Sequence, residues 1–139
     1  MTAASTSAVP RSPRAGVLLF AHGSRDPLWH RPIQAVQAEL QRLQPDLACI
    51  CAYLEISSPS LPAAVDQLVQ QGCSHITVLP LFLGTGRHAR EDLPLLLDAA
   101  RAAHPGLVLE SATPVGEDPR VIGLLAQIAQ GEMHKKSKS

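Results

Sequence analysis

The sequence predicts a single-domain α/β fold: a parallel four-stranded sheet with helices on both faces. Three observations carry this reading. Four apolar runs recur, GVLLFA (16–21), LACICAY (47–53), HITVLPLFL (75–83) and LVLESA (107–112). Three of them are nearly continuous in hydrophobicity, as strands buried on both faces of a parallel sheet require. Segments with helical spacing lie between and after them on short joins, so strand and helix alternate four times.

Each element is justified by its own residues. GVLLFA is a pure apolar strand that runs into the polar AHGSRDP. Ile33, Val36, Leu40 and Leu43 fall on one stripe of an amphipathic helix. LACICAY gives the second strand. Leu61, Val65, Leu68 and Val69 make the second stripe, with Gly72 as its stop. The third run contains Pro80, which cannot donate to a ladder, so the regular strand is expected to end near Leu79. Leu93, Leu96, Leu97, Ala100 and Ala103 make a third helix that ends near His104-Pro105-Gly106. LVLESA turns polar, which suits an edge strand, and Val121, Leu124, Leu125 and Ile128 make the last stripe.

The tails differ from this body. Residues 1–15 mix small residues, prolines and arginines without an apolar core, and read as a disordered leader rather than a signal peptide. Residues 131–139 read as a flexible polar tail, leaving 16–130 as the folded domain.

Composition excludes several classes of function. Twelve Lys+Arg balance twelve Asp+Glu, so no basic excess points to nucleic acid or an anionic membrane surface. Aromatic residues are 3% of the chain, too few for base-stacking platforms. No apolar stretch approaches the roughly 20 residues that span a bilayer. Cys49 and Cys51 stand two apart on one strand face, a spacing that suits neither a normal disulfide nor a C-x-x-C motif. Buried free thiols in a reducing cytoplasm are the expectation.

In an open α/β sheet the ligand site lies beyond the carboxyl ends of the strands. His22 comes after the first strand, Glu55 after the second and His88 after the third, and consecutive members are separated by 33 residues. Each thus occupies the same point of its own strand–helix unit. Taken singly, such a histidine is an ordinary cap or loop residue and Glu55 a solvated carboxylate. Together on one rim, two imidazoles and a carboxylate suit a divalent transition metal and leave coordination positions open for a substrate.

Ser24, Arg25, Arg87 and Arg90 stand on the same rim. The arginines are either solvated charges or grips for carboxylates, with which guanidinium forms bidentate pairs. GTGRHA formally matches a dinucleotide fingerprint. It comes after the third strand rather than the first and lacks the later acidic residue, so Gly84 and Gly86 are read as letting the backbone turn sharply and approach a flat ligand. Trp29 and His30 read as packing and surface residues, and His75, His104 and His134 as structural or exposed.

LLFAHGSRDP, YLEISSPSLPAAVDQL and TVLPLFLGTGRHAREDLP together resemble, in order and spacing, the CbiX/SirB family of class II tetrapyrrole chelatases. The resemblance covers nearly the whole folded region and implies a chelatase-like domain with flavodoxin-like layering. It implies a lyase-class enzyme that inserts Co2+ or Fe2+ into sirohydrochlorin on the way to cobalamin or sirohaem, with no cofactor beyond that metal substrate. The order of affinity among such ions is generic, so Ni2+ stands beside them. The family's metal-binding histidines match His22 and His88, and its metal-proximal glutamate matches Glu55 by position. Long members carry two such domains in tandem. One domain here implies the short form, which works as a homodimer, and the histidine-rich segment of some relatives is missing.

Two other readings compete. One is a phosphoryl-transfer enzyme with His22 as nucleophile and Arg25 and Arg87 on the phosphate. The other is a carrier that binds metal or tetrapyrrole without catalysis.

Overall fold

The computed structural model describes residues 14–137. Residues 1–13 of the expected leader lie outside the described residues, and Arg14 and Ala15 already belong to the first strand. The strands are β1 (Arg14–Ala21), β2 (Ala48–Tyr53), β3 (Cys73–Pro80) and β4 (Val108–Ser111). The helices are α1 (Arg31–Leu43), α2 (Leu61–Gln70), α3 (Arg87–Ala103) and α4 (Pro119–Ser137), with short 3-10 turns at Pro27–His30 and Val115–Glu117. The strands form one parallel sheet in the order β2-β1-β3-β4. The predicted four-stranded α/β domain is the one that forms.

β3 reaches Pro80 rather than stopping at Leu79, for a geometric reason. Backbone N–H groups alternate sides along a strand, and the Leu81 amide donates to Phe20 of β1 at 2.7 Å. The position without an N–H, Pro80, therefore faces β4, whose pairing with β3 has already ended at Ser111. The missing donor leaves no acceptor unmatched.

The two sheet faces are covered unequally. On one face Leu18, Phe20, Ile76 and Val78 pack under Leu61, Val65 and Leu68 of α2 and Ala89, Leu97 and Ala100 of α3. On the other, Leu19, Ala21, Cys49, Cys51 and Tyr53 meet Ile33 of α1. Over β1 and β3 this second face stays open, as an apolar groove of about 600 Å3 lined by Val17, Leu19, Val36, Leu40, Leu43 and Leu79.

α3 starts at Arg87, well before the apolar stripe at Leu93, and places His88 in a first helical turn instead of a loop. Ala89 is buried and continues the stripe backwards by one turn; its small side chain hides it in a hydrophobicity pattern. Gly86 caps the helix from an extended conformation, and the Arg90 amide donates to its carbonyl at 3.0 Å.

The last stripe has a different outcome. α4 runs on past 130 to Ser137, and Ile122, Leu124, Leu125, Ile128 and Met133 are all exposed. Periodicity identifies the apolar face of this helix, but among the described residues nothing covers it.

Candidate functional site

The three predicted donors stand on the carboxyl-end rim. His22 directly follows β1, Glu55 lies just beyond β2, and His88 is the second residue of α3 beyond β3. Because β1 runs between β2 and β3, His22 occupies the middle of this row.

The first two loops are fused. The Leu54 amide donates to the Ala21 carbonyl at 2.8 Å, and the Glu55 amide to the His22 carbonyl at 3.0 Å. Two consecutive amides thus turn toward β1 where the ladder ends at Ala21 and Tyr53, and they fix Glu55 beside His22. Ser57 Oγ then accepts from the Ser24 amide at 3.0 Å and donates to the Ser24 carbonyl at 2.8 Å. Gly23 makes this closeness feasible: its φ is +108°, and a Cβ there would lie 1.9 Å from the Glu55 carbonyl oxygen. Pattern reading singles out neither Gly23 nor Ser57, although the glycine directly after His22 is the available signal.

His22 stacks on Phe82, with ring centroids 4.3 Å apart and planes 36° from parallel. Phe82 is buried, so the imidazole rests on a fixed platform while remaining partly accessible. The Gly116 amide donates to the Phe82 carbonyl at 3.0 Å. The turn after β4 is thereby tied to the segment that supports His22.

His88 is 70% exposed, and its Nε2 lies 3.0 Å from the Asp92 carboxylate one turn along α3. With Nε2–H donated to that carboxylate, Nδ1 is left with its lone pair for a ligand. Asp92 is a neighbour of His88 that strand-end logic misses; its i, i+4 spacing from His88 is the clue. The Glu55 side chain is exposed and has no hydrogen-bond or ionic partner among the described residues. Among the described residues no three His, Cys, Asp or Glu side chains gather closely enough to hold a metal ion. His22, Glu55 and His88 line a rim without closing a cage.

The other rim residues divide. Arg87 pairs with Glu91 at 2.9 Å, and Arg90 donates to the Thr85 carbonyl at 2.9 Å. The Ser24 amide is committed to Ser57, and Ser24 Oγ accepts from the Asp26 amide at 3.1 Å. Its hydroxyl proton is what Ser24 has to offer. Gly84 and Gly86 do not have the positive φ that a glycine-only turn needs. Contrary to the expectation from the sequence, neither glycine makes a turn that only glycine could make. The space a Cβ would fill at each is empty, which leaves open backbone at the rim.

The cysteines take no part in this row. All three are free and buried, and burial pushes the Cys49 thiol up to about 11, with Cys51 beside it adding to the rise. Burial also raises Cys51 and Cys73. Thiolate is the reactive form, so the native protein should resist a disulfide reagent at pH 8 and label fully in urea. Rapid stoichiometric labelling of the folded protein would contradict this.

Comparison with known proteins shows the family and the fold. A family model described as CbiX matches residues 16–131. The sirohydrochlorin cobaltochelatase of Methanothermobacter thermautotrophicus is 29% identical over 130 residues, covering 83% of this chain and 90% of that one. The crystal structure of a putative cobalamin biosynthesis CbiX protein from Marinobacter aquaeolei superposes with a TM-score of 0.76 at 31% identity, over 90% of this chain and 98% of that one. The sirohydrochlorin chelatase SirB of Bacillus subtilis subspecies spizizenii, solved in complex with cobalt, shares the fold with a TM-score of 0.72 at 24% identity. There the match covers 85% of this chain but 50% of SirB.

Proposed function

The chain belongs to the CbiX family, and from that premise we infer that it is a chelatase of the lyase class that inserts Co2+ or Fe2+ into sirohydrochlorin. The observation that carries this reading is the row of His22, Glu55 and His88 at the ends of successive parallel units, all at least partly accessible. Residues 16–130 form the chelatase domain.

Insertion requires that a cation be held loosely, that a macrocycle be laid over it, and that two pyrrole protons leave. His22 and His88 hold the incoming ion. Imidazole as a side-chain type titrates at ~6.5, so a neutral ring also serves as a proton acceptor near pH 7. Glu55 completes the coordination or passes protons to solvent. Open coordination and exposed donors favour exchange over storage, because a transferred ion must leave its protein ligands. Ser24, Arg25, Arg87 and Arg90 face the substrate's carboxylates, and the open backbone at Gly84 and Gly86 lies against its plane.

The test is anaerobic incubation of metal-free sirohydrochlorin with Co2+, Fe2+ or Ni2+, monitored by absorbance. Insertion faster than the uncatalysed control with Co2+ or Fe2+ is expected. Spectral change on mixing without any rate gain would make the protein a carrier.

The working form is a homodimer in the cytoplasm. Three reduced, buried thiols suit that compartment, and among the described residues no helix is long and apolar enough to cross a membrane. For the dimer, two unsatisfied surfaces of one chain complement each other: the apolar stripe of α4 and the apolar groove beside α1. Under two-fold symmetry each copy's α4 lies in the other's groove, so the contact occurs twice. Two helices of about 28 Å each bring the interface toward the ~1,600 Å2 typical of stable pairs. Wild type should sediment as a dimer and Leu124→Glu/Ile128→Glu as a folded monomer. A variant that stays dimeric, or a monomeric wild type, defeats this arrangement.

A further inference from the structure

A second cavity, of about 480 Å3, opens beside the rim on the α1 side of the fused loops. Arg25, His30, Arg31, Gln34, Tyr53 and Ser58 line it, and no carboxylate does. Its charge is unusual for this molecule. Among the described arginines, Arg42, Arg87, Arg101 and Arg120 each pair with a carboxylate. Arg14 and Arg90 donate to backbone carbonyls. Only Arg25 and Arg31 have side chains without any such partner among the described residues, and both line this one cavity. The nearest acid in sequence, Asp26, is engaged elsewhere: its carboxylate accepts from the Leu28 amide at 2.9 Å.

The cavity is also built on the loop that carries His22. His30 Nε2 lies 2.9 Å from the Ser24 carbonyl and 3.3 Å from Ser57 Oγ. Its ring packs edge-on against Tyr53 with centroids 4.9 Å apart. Ser24 and Ser57 thus hold His22 and Glu55 on one side and the cavity wall on the other. Two guanidiniums sharing a cavity with no counter-charge repel each other, and a bound carboxylate relieves that repulsion while accepting paired N–H bonds from either.

We propose that this cavity is a subsite for one carboxylate arm of the tetrapyrrole, gripped by Arg25 and Arg31 while the ring lies over His22. The assignment rests on the chelatase reading and extends it to Arg31, His30 and Gln34, which sit off the rim on the α1 side. It fixes the ring's rotation: His22 is central in the row and His88 lies beyond β3, so an arm held on the β2 side orients the macrocycle across both histidines.

The test measures binding and turnover separately. Arg31 is exposed, so Arg31→Gln should fold as wild type does. The expected result is a roughly tenfold rise in the dissociation constant for metal-free sirohydrochlorin, about 1.4 kcal/mol, read by fluorescence titration. The loss should appear in KM more than in kcat. Arg31→Lys should recover part of it, and added salt should weaken wild type more than Arg31→Gln. Equal dissociation constants for wild type and Arg31→Gln at low salt, with wild type metallating normally, would overturn the subsite and leave the chelatase intact. A wild type that neither binds nor metallates sirohydrochlorin would overturn both.

Discussion

His22→Ala is expected to remove metal insertion almost completely, and His88→Ala to do the same at less cost to the fold. Altering a group that merely orients a metal ligand typically costs 10–100-fold, so loss of the ligand itself should reach at least ~100-fold in turnover. The two variants differ in what else they disturb. The His22 ring lies on Phe82 at 4.3 Å, so truncation uncovers an aromatic face and lowers stability as well as activity. The His88 ring is mostly solvent-exposed, and its pair with Asp92 is a surface i, i+4 contact worth about 0.3–0.5 kcal/mol. His88→Ala should therefore melt within a degree or two of wild type while losing insertion of Co2+ into sirohydrochlorin. Near-normal anaerobic turnover in either variant removes the pair from the mechanism.

The contrast between those two histidines marks how far the sequence can be read. Both are legible as strand-end residues, because continuous apolar runs such as GVLLFA suit strands buried on two faces, and the residues just past such strands form the rim. The 33-residue spacing places His22, Glu55 and His88 on that rim together. Their surroundings are not legible. Phe82 belongs to an apolar run, and nothing local says that its ring lies under an imidazole from another unit. Asp92 is one more acid on a helix face until α3 is seen to start at Arg87. That Arg25 and Arg31 lack a partner among the described residues depends on where every described carboxylate lies, so it cannot be read locally. Likewise, the α4 stripe is correctly periodic, but periodicity carries no information about whether the covering surface lies in the same chain.

Gly23→Ala should be a severely damaging single-methyl change at the site. A non-glycine residue at positive φ costs about 1–3 kcal/mol, and here the added Cβ also meets the Glu55 carbonyl oxygen at 1.9 Å. The clash is with backbone, which cannot rotate away as a side chain would. Relief requires the two loops to part, and parting them breaks the Glu55–His22 backbone bond of 3.0 Å and the Ser24–Ser57 pair. These are three bonds at about 1 kcal/mol each, so with the backbone term a total of roughly 4–6 kcal/mol is expected. The functional effect should exceed what instability explains, because the same separation moves Glu55 away from His22 and loosens the wall shared with Arg25 and His30. Urea denaturation should show a lowered midpoint. At a temperature where the variant is still folded, insertion should fall at least ~10-fold, as for other groups that only position a metal ligand, and sirohydrochlorin binding should weaken. A Gly23→Ala protein with wild-type stability would mean that the fused loops do not hold the donors in place, and the row of His22 and Glu55 would then lack its structural basis.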